Sequence, residues 1–368
     1  MEPFAGGGTG ISEAAFAGWS VYGVDINPVA TSISKASLFL VTNGLPRGYG
    51  KIAIRVLDES LTESQNIWKF DGKYTSYIFI SRDKAPTWIS TRSVDNRQIL
   101  VLMCPNCYTI FESSEKQTNC PTCDHRFEAG IKGSTELKNS FPETIKGWKI
   151  YAIELRNPKN KWKKEYKSPI HDKEIRKWLR KSSKDAEKIR EEIIDEVDLA
   201  IDVDEGKRLF REAQIERYYQ LFTTRQLASF YLFSLESRKL ARSRRDKLFL
   251  AIALSESTKA SSLVAKWHPP IGEPVPAGAM KTYWVPKHTV ESNPLAHIPG
   301  TLRPLGRNTI ASAIRMQLRA DTFIKEKGGP SNSKIKIVTG DAERIKIPRL
   351  VDLAVVDPPY MDAVKSYA

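Results

Sequence analysis

The sequence predicts an α/β fold whose sheet is built from the two ends of the chain and interrupted by a long insertion. Three observations carry that expectation. Near the amino terminus a glycine bend (Gly6, Gly7, Gly8, Gly10) leads into a helical stretch, then into an apolar strand closed by Asp25. Near the carboxyl terminus two apolar runs each end in an acid. Ile335 to Val338 runs into Gly340-Asp341-Ala342, and Leu353 to Val356 runs into Asp357-Pro358-Pro359-Tyr360. Between these ends lie all four cysteines, within residues 104–123, and much basic sequence. Strands alternating with helices at both ends point to a parallel sheet.

The elements follow in order. Ser12 to Gly18 reads as a short helix and Val21 to Asp25 as a strand. Asn27-Pro28 then opens a helix from Val29 to Leu40, with proline suited to the first turn. Residues 45–103 mix short β-like runs with polar turns, and residues 104–127 hold the cysteines. From Thr144 to Ser168, eight Lys/Arg face two Glu, with Trp148, Tyr151, Trp162 and Tyr166 interleaved. Residues 171–220 read as charged helix, residues 221–265 as amphipathic helix broken by the basic stretch Arg238 to Lys247, and residues 267–308 as proline-rich ordered loop. Helix resumes from Ile310 to Ile324. The expected division is 1–44 and 309–368 for the α/β part and 45–143 for an insertion with the cysteine module at about 100–128. Residues 144–308 are expected to form a basic, largely helical insertion, a candidate target-recognition region.

Composition narrows the partners. With 57 Lys+Arg against 43 Asp+Glu, the 368 residues carry a formal charge of +14, which favours a polyanion such as nucleic acid. Hydrophobic content of 41% marks globular material. No run of about 18 apolar residues and no basic-then-apolar leader occurs, so a cytoplasmic protein with no membrane span is expected.

The acids and glycines suggest a site. A glycine bend after a strand lets backbone N–H groups approach a ligand, and the helix that follows adds positive potential. A plain tight turn is the alternative. Asp25 stands where doubly wound sheets grip a ribose diol, or where a carboxylate caps the next helix. Asp341 can accept from an adenine amine or can simply shape a turn. Asp357 and the Pro358 carbonyl can together accept from an exocyclic amine and orient its lone pair, with Pro359 stiffening the turn and Tyr360 stacking on a base. A strand-ending Asp-Pro turn without chemistry is the competing reading.

Taken together, Phe4, Gly6 and Gly8 and the turn Asp357 to Tyr360 resemble the S-adenosylmethionine-dependent amino-methyltransferases, whose hallmarks are an F-x-G-x-G loop and a D-P-P-Y turn. More narrowly, the chain resembles large adenine-specific DNA methylases that contain a zinc-ribbon domain. That likeness rests on Glu2 to Thr9, Asp25 to Ala30, the four cysteines, Leu221 to Leu227, and Gly340 to Ala342. The resemblance implies a Rossmann-like methyltransferase sheet and methyl transfer to N6 of adenine in DNA. It implies Gly6, Gly8 and Thr9 around the methionine end of the cofactor and Glu2 near its amino group. Asp25 would hold the ribose and Asp341 the adenine, with Phe4, Asn27 and Ala342 in the same pocket and Asp357, Pro358, Pro359 and Tyr360 catalytic. RNA stays open as the substrate, as does a nucleic-acid-binding role without turnover. The family fold has a strand before the glycine bend and three after the catalytic turn, so a second polypeptide supplying the remaining strands is an expected partner.

Cys104-x2-Cys107 and Cys120-x2-Cys123 form a four-thiolate pattern for structural Zn2+. Two such pairs at ribbon spacing favour metal over a redox dithiol, and His125 reads as a bystander.

Overall fold

The computed structural model describes residues 1–145, 147–201, 214–275, 285–328, 332–345 and 351–357. The chain is mixed α/β and divides into two compact units. The first comprises Met1–Arg55, Ser237–Ala253 and Ala313–Ala368; the second comprises Val56–Glu236 and Leu254–Ser312.

In the first unit the strand Val21–Asp25 pairs in parallel with Ile335–Thr339, matching Val21 to Ile335 and Asp25 to Thr339. On the other edge of Val21–Asp25, Glu2 N–H donates to Tyr22 O and Val24 N–H to Glu2 O, a parallel bridge between Glu2 and Gly23. Met1 in turn donates to Leu353 O at 2.7 Å and accepts from Val355 N–H at 2.8 Å, again the parallel pattern. Lateral order is therefore 335–339, 21–25, 1–2, 353–355. Residues 1–2 thus lie beside residues 353–355.

The expected Leu353–Val356 strand is a correction in one respect. It pairs only through Met1 among the described residues, and Leu353, Val355 and Val356 are each more than half exposed, not buried. Helices of this unit include Thr9–Phe16, Pro28–Asn43, most of Arg244–Thr258 and most of Ile310–Glu326. The first begins three residues before its expected start because Gly8, in the left-handed region at φ 79°, turns the chain directly into it. Ala5, Ile11, Ala15, Val21, Leu38 and Ile324 form the core.

The helix Tyr49–Glu63 falls where short strands were expected. Ile52, Val56, Leu57, Ser60 and Leu61 are buried at helical spacing, so the 3.6-residue period was there to be read.

The second unit is built on a six-stranded sheet, ordered Glu143–Ile145, Trp148–Asn157, Lys73–Ser81, His288–Ser292, with Lys163–Lys167 and Lys69–Phe70 at its edges. Its central run Tyr77-Ile78-Phe79-Ile80 is buried on both faces. Ile78 and Ile80 meet the helix Lys173–Glu191 through Ile175 and Leu179. Tyr77 and Phe79 meet Trp267, Val101 and Met103 on the other side. The expected largely helical insertion over 144–308 is thus corrected at its start: residues 148–157 and 163–167 are paired strands. The run Ile150 to Leu155 is buried continuously, and its pairing with Lys73–Ser81 on one edge and Lys163–Lys167 on the other decided there over the charge pattern. Lys173–Glu191 is helical as expected, capped by Asp172, which accepts from Ile175 N–H at 3.0 Å.

One buried ion pair ties this unit together. Arg225 and Glu291 are 1% and 0% exposed and 3.0 Å apart. Thr144, Thr223, Ser182 and the Leu179 carbonyl satisfy their remaining polar atoms. Burying two charges is tolerable because nothing in the pair is left without a partner.

Candidate functional site

The glycine bend is pinned from several sides. Ala5 N–H donates to Val24 O, Gly8 N–H to Ala5 O, and the buried Ser34 hydroxyl to Gly6 O at 2.7 Å. Gly6 and Gly8 both hold positive φ, 49° and 79°. A Cβ on Gly8 would stand 2.6 Å from Ser34 Oγ, whereas one on Gly6 would meet nothing within 4 Å. The bend is therefore closed on its helix side and open at Gly6. Ser34 carries no sequence motif, and sequence reasoning missed it; its only signal is a small polar residue within an apolar helix face.

Asp25 sits at the carboxyl end of its strand with one oxygen accepting from Gly6 N–H and the other from Asn27 N–H, both at 2.8 Å. Each oxygen keeps a second lone pair. The helix cap here is Asn27, not Asp25: Asn27 Oδ1 accepts from Val29 N–H at 2.8 Å and Ala30 N–H at 3.4 Å, with Pro28 in the first turn. Asn27, expected in the cofactor pocket, has its side-chain oxygen engaged in that cap.

Next to Asp25, Gly340 N–H donates to the Asp25 carbonyl at 2.9 Å and brings Asp341 to the neighbouring strand end. Asp341 shapes a turn, accepting from Glu343 N–H at 3.0 Å and pairing with Arg344 at 3.4 Å. Ala342 is half-buried in that turn.

On the far side of the bend, Glu2 accepts from Ile11 N–H in the first turn of the Thr9–Phe16 helix. Burial raises the Glu2 carboxyl above its ordinary range and the nearby Asp357 charge adds to this, against the lowering pull of Ile11 N–H and the terminal amine. Asp357 thus lies within electrostatic reach of Glu2 and is exposed. Pro358, Pro359 and Tyr360 lie outside the described residues. Phe4 is 38% exposed just before the bend, and Thr9 is exposed at the start of its helix, where Gly8 offers no side-chain cap. Asp341, Asp25 and Asp357 therefore stand at the carboxyl ends of adjacent parallel segments, with the glycine bend between Asp25 and Asp357.

An apolar cavity of about 940 Å3 opens at the opposite ends of these segments, lined by Trp19, Val21, Ile335, Val351, Leu353 and Val355 among others. Glu2 reaches its wall; Asp25, Asp341 and Asp357 do not.

In the second unit the four cysteine sulfurs all lie within 4.8 Å of one another. Cys104 and Cys123 are 3.6 Å apart, and Cys107 and Cys120 are 3.5 Å apart. Four sulfurs bound at about 2.3 Å to one ion stand about 3.8 Å apart, so this set can hold a structural metal. Both knuckles are built alike. Tyr108 N–H returns to Cys104 O and Asp124 N–H to Cys120 O, with Tyr108 and Asp124 in the left-handed region at φ 63° and 55°. Burial pushes the Cys104 thiol up to about 12. At Cys107 burial is outweighed by the Thr109 hydroxyl and N–H and the neighbouring thiols, which bring it down to about 6. His125 is not in the cluster and stacks on Phe127. Phe111 and Phe127 pack edge to face beneath the ribbon strands.

No helix among the described residues is long and apolar enough to cross a membrane. Neither a protein-family model, nor a curated protein, nor a solved structure matches this chain.

Proposed function

We propose that the chain carries the cofactor pocket and catalytic turn of a Rossmann-like amino-methyltransferase that uses S-adenosylmethionine and acts on N6 of adenine in DNA. The observation that carries this reading is the row of acids Asp341, Asp25 and Asp357 at adjacent parallel strand ends, with the glycine bend between the last two. In doubly wound sheets ligands bind outside the carboxyl ends of the strands where the order reverses, and the step from residues 1–2 to 353–355 is such a reversal. The pocket suits a nucleoside: Asp25 has a lone pair left on each oxygen for a diol, and the bend is open at Gly6. When bound, S-adenosylmethionine supplies an electrophilic methyl group. Asp357 orients the amine by accepting a hydrogen bond, and Glu2 and the uncapped helix start flank the amino-acid end.

The four thiolates are proposed to bind Zn2+, in a closed set that serves the fold and leaves no open position for chemistry. The exposed basic residues of the stretch Arg238 to Lys247, within the first unit, suit DNA phosphates. The apolar residues Leu353, Val355 and Val356, exposed among the described residues, suit a further paired segment, so a second polypeptide completing the sheet is part of the proposal.

The test is radiolabelled methyl transfer to DNA, with cofactor affinity measured in parallel. Asp357→Ala should retain cofactor binding within about threefold and lose transfer by at least about 100-fold, the scale of removing an oriented charge-stabilising group. Asp25→Asn should instead weaken cofactor binding. Transfer by Asp357→Ala at the unsubstituted rate would sink the mechanism. Transfer to RNA in place of DNA would redirect the substrate.

A further inference from the structure

The main sheet of the second unit has one uncommon edge. Lys69 stands opposite Tyr74, Tyr74 opposite Arg156, and Arg156 opposite Lys164. Directly opposed residues share a face, so these four make one row across four strands. The row depends on a bulge: Glu154 faces Tyr77 and Leu155 faces Thr75, which leaves Ser76 unpaired and shifts Tyr74 onto the face of Arg156.

Above the row, Lys69 Nζ lies 5.3 Å from the Tyr74 ring, and the Trp162 ring packs against the same tyrosine at 5.6 Å. Trp162 comes from the tip of the hairpin between Trp148–Asn157 and Lys163–Lys167. There Lys161 and Trp162 both adopt left-handed backbone, at φ 46° and 61°. For a bulky side chain that is an outlier, kept only where surroundings enforce it. Asn157 does the enforcing. Its carbonyl accepts from Trp162 N–H at 2.8 Å, and its Oδ1 accepts from Lys159 N–H at 3.0 Å. Its amide donates to Glu165, itself 2.6 Å from Lys73. The half-buried indole is thus held in a fixed place. Around it Lys159, Lys161 and Lys163 are exposed and form no ion pair among the described residues. Below it one buried acid, Glu154, holds both Arg156 and Lys164, at 3.0 and 3.2 Å, and leaves their combined charge positive. Asp71 and Asp58 lie near the Lys69–Tyr74 end, and the cations still outnumber the acids.

We propose that this edge is a nucleic-acid surface that takes a strand with unpaired bases. The lysines and Arg156 meet its phosphates, and Trp162 offers a fixed aromatic plane on which a base stacks. A merely solvated basic hairpin has no need of an indole at its tip in strained backbone. The chemistry is shared by single-stranded DNA and RNA, whose phosphates alternate with exposed base faces. A duplex covers those faces, so it draws only on the charge. The proposal stands on the second unit alone, so it and the methyl-transfer reading can fail separately.

The experiment is fluorescence anisotropy on the full chain with labelled oligothymidine, oligouridine and a duplex, each at low and moderate salt. Lys161→Glu with Lys163→Glu should weaken all three by roughly tenfold and flatten the salt dependence. Trp162→Leu keeps a bulky apolar contact with Tyr74 but lacks a stacking plane. It should weaken the single strands by roughly tenfold and the duplex by less than about twofold, while Trp162→Phe keeps most of the affinity. Melting midpoints of the variants establish that they are folded. A leucine variant that binds as tightly as the phenylalanine variant overturns the proposal. So does equal loss on duplex and single strand, or indifference to the lysine reversals. A preference between the DNA and RNA strands identifies which source the surface serves.

Discussion

Gly8 and Gly6 show how much one atom decides in the bend. Both have positive φ, which costs any other residue about 1–2 kcal/mol. Only Gly8 also lacks room, because Ser34 stands where its Cβ would go. Gly8→Ala should therefore cost roughly 2–4 kcal/mol, adding overpacking to the backbone penalty, and Gly6→Ala about 1 kcal/mol. Denaturant unfolding of the two variants compares them directly. Equal losses would mean that Ser34 swings away and does not brace the bend. Asp25 carries a similar double duty, since its carboxylate both anchors Gly6 and faces the proposed ribose. Asn27, by contrast, spends its side chain on the helix start.

Among the elements, the cysteine ribbon has little packing of its own. Its strands Gln117–Asn119 and Arg126–Glu128 are three residues each, and its apolar support comes chiefly from Phe111, Phe127, Trp88 and Leu102. Four clustered thiols without an ion add repulsion as they ionise; with one they add folding energy. Removing the proposed Zn2+ with a chelator should cost at least about 4 kcal/mol, the linkage expected when metal exceeds its dissociation constant a thousandfold. The loss should appear as a lower melting midpoint and as rapid reaction of all four cysteines with a thiol reagent. Thiols that react equally fast with and without added zinc would rule the site out. Cys123→Ser, at the exposed member of the proposed ligand set, should give the same loss without disturbing the core.

At the scale of the molecule, part of the stability against acid rests on Glu154. It is fully buried in the main sheet of the larger unit, where burial opposes ionisation but Lys164, Arg156 and the Tyr166 hydroxyl outweigh it. Its carboxyl is held below the ordinary value of 4.5. A depressed carboxyl contributes stability that is fully present above the unfolded value and lost as pH falls through the folded one. The larger unit should therefore weaken progressively below about pH 4.5. Glu154→Gln should remove that part of the slope while costing roughly 2–3 kcal/mol at neutral pH, because Arg156 and Lys164 lose their counter-charge. Melting midpoints followed from pH 7 to pH 3 decide it; an unchanged slope in the variant would assign acid sensitivity to other carboxyls.

Local chemistry was enough to read some features from the residues alone. Cys-x2-Cys pairs announce a four-sulfur cluster because a metal needs just those donors at that spacing, and they do converge. Asn27-Pro28 marks a helix start and Gly6 to Gly8 a bend, since backbone sterics act over a few residues. Periodicity favoured the strands Val21 to Asp25 and Ile335 to Val338 and the helix Ile310 to Ile324, the last two running to Thr339 and Glu326 in the structure. Other features depended on partners far away in the sequence. That Met1 lies against Leu353 and Val355, and that a bulge at Ser76 aligns Lys69, Tyr74, Arg156 and Lys164, follow from strand pairing; that Ser34 braces Gly6 follows from how its helix packs on the bend. No local pattern encodes which strands meet, or in what register. Hydrogen bonds between segments hundreds of residues apart are chosen by the packing of the whole, and there the tertiary structure alone decided.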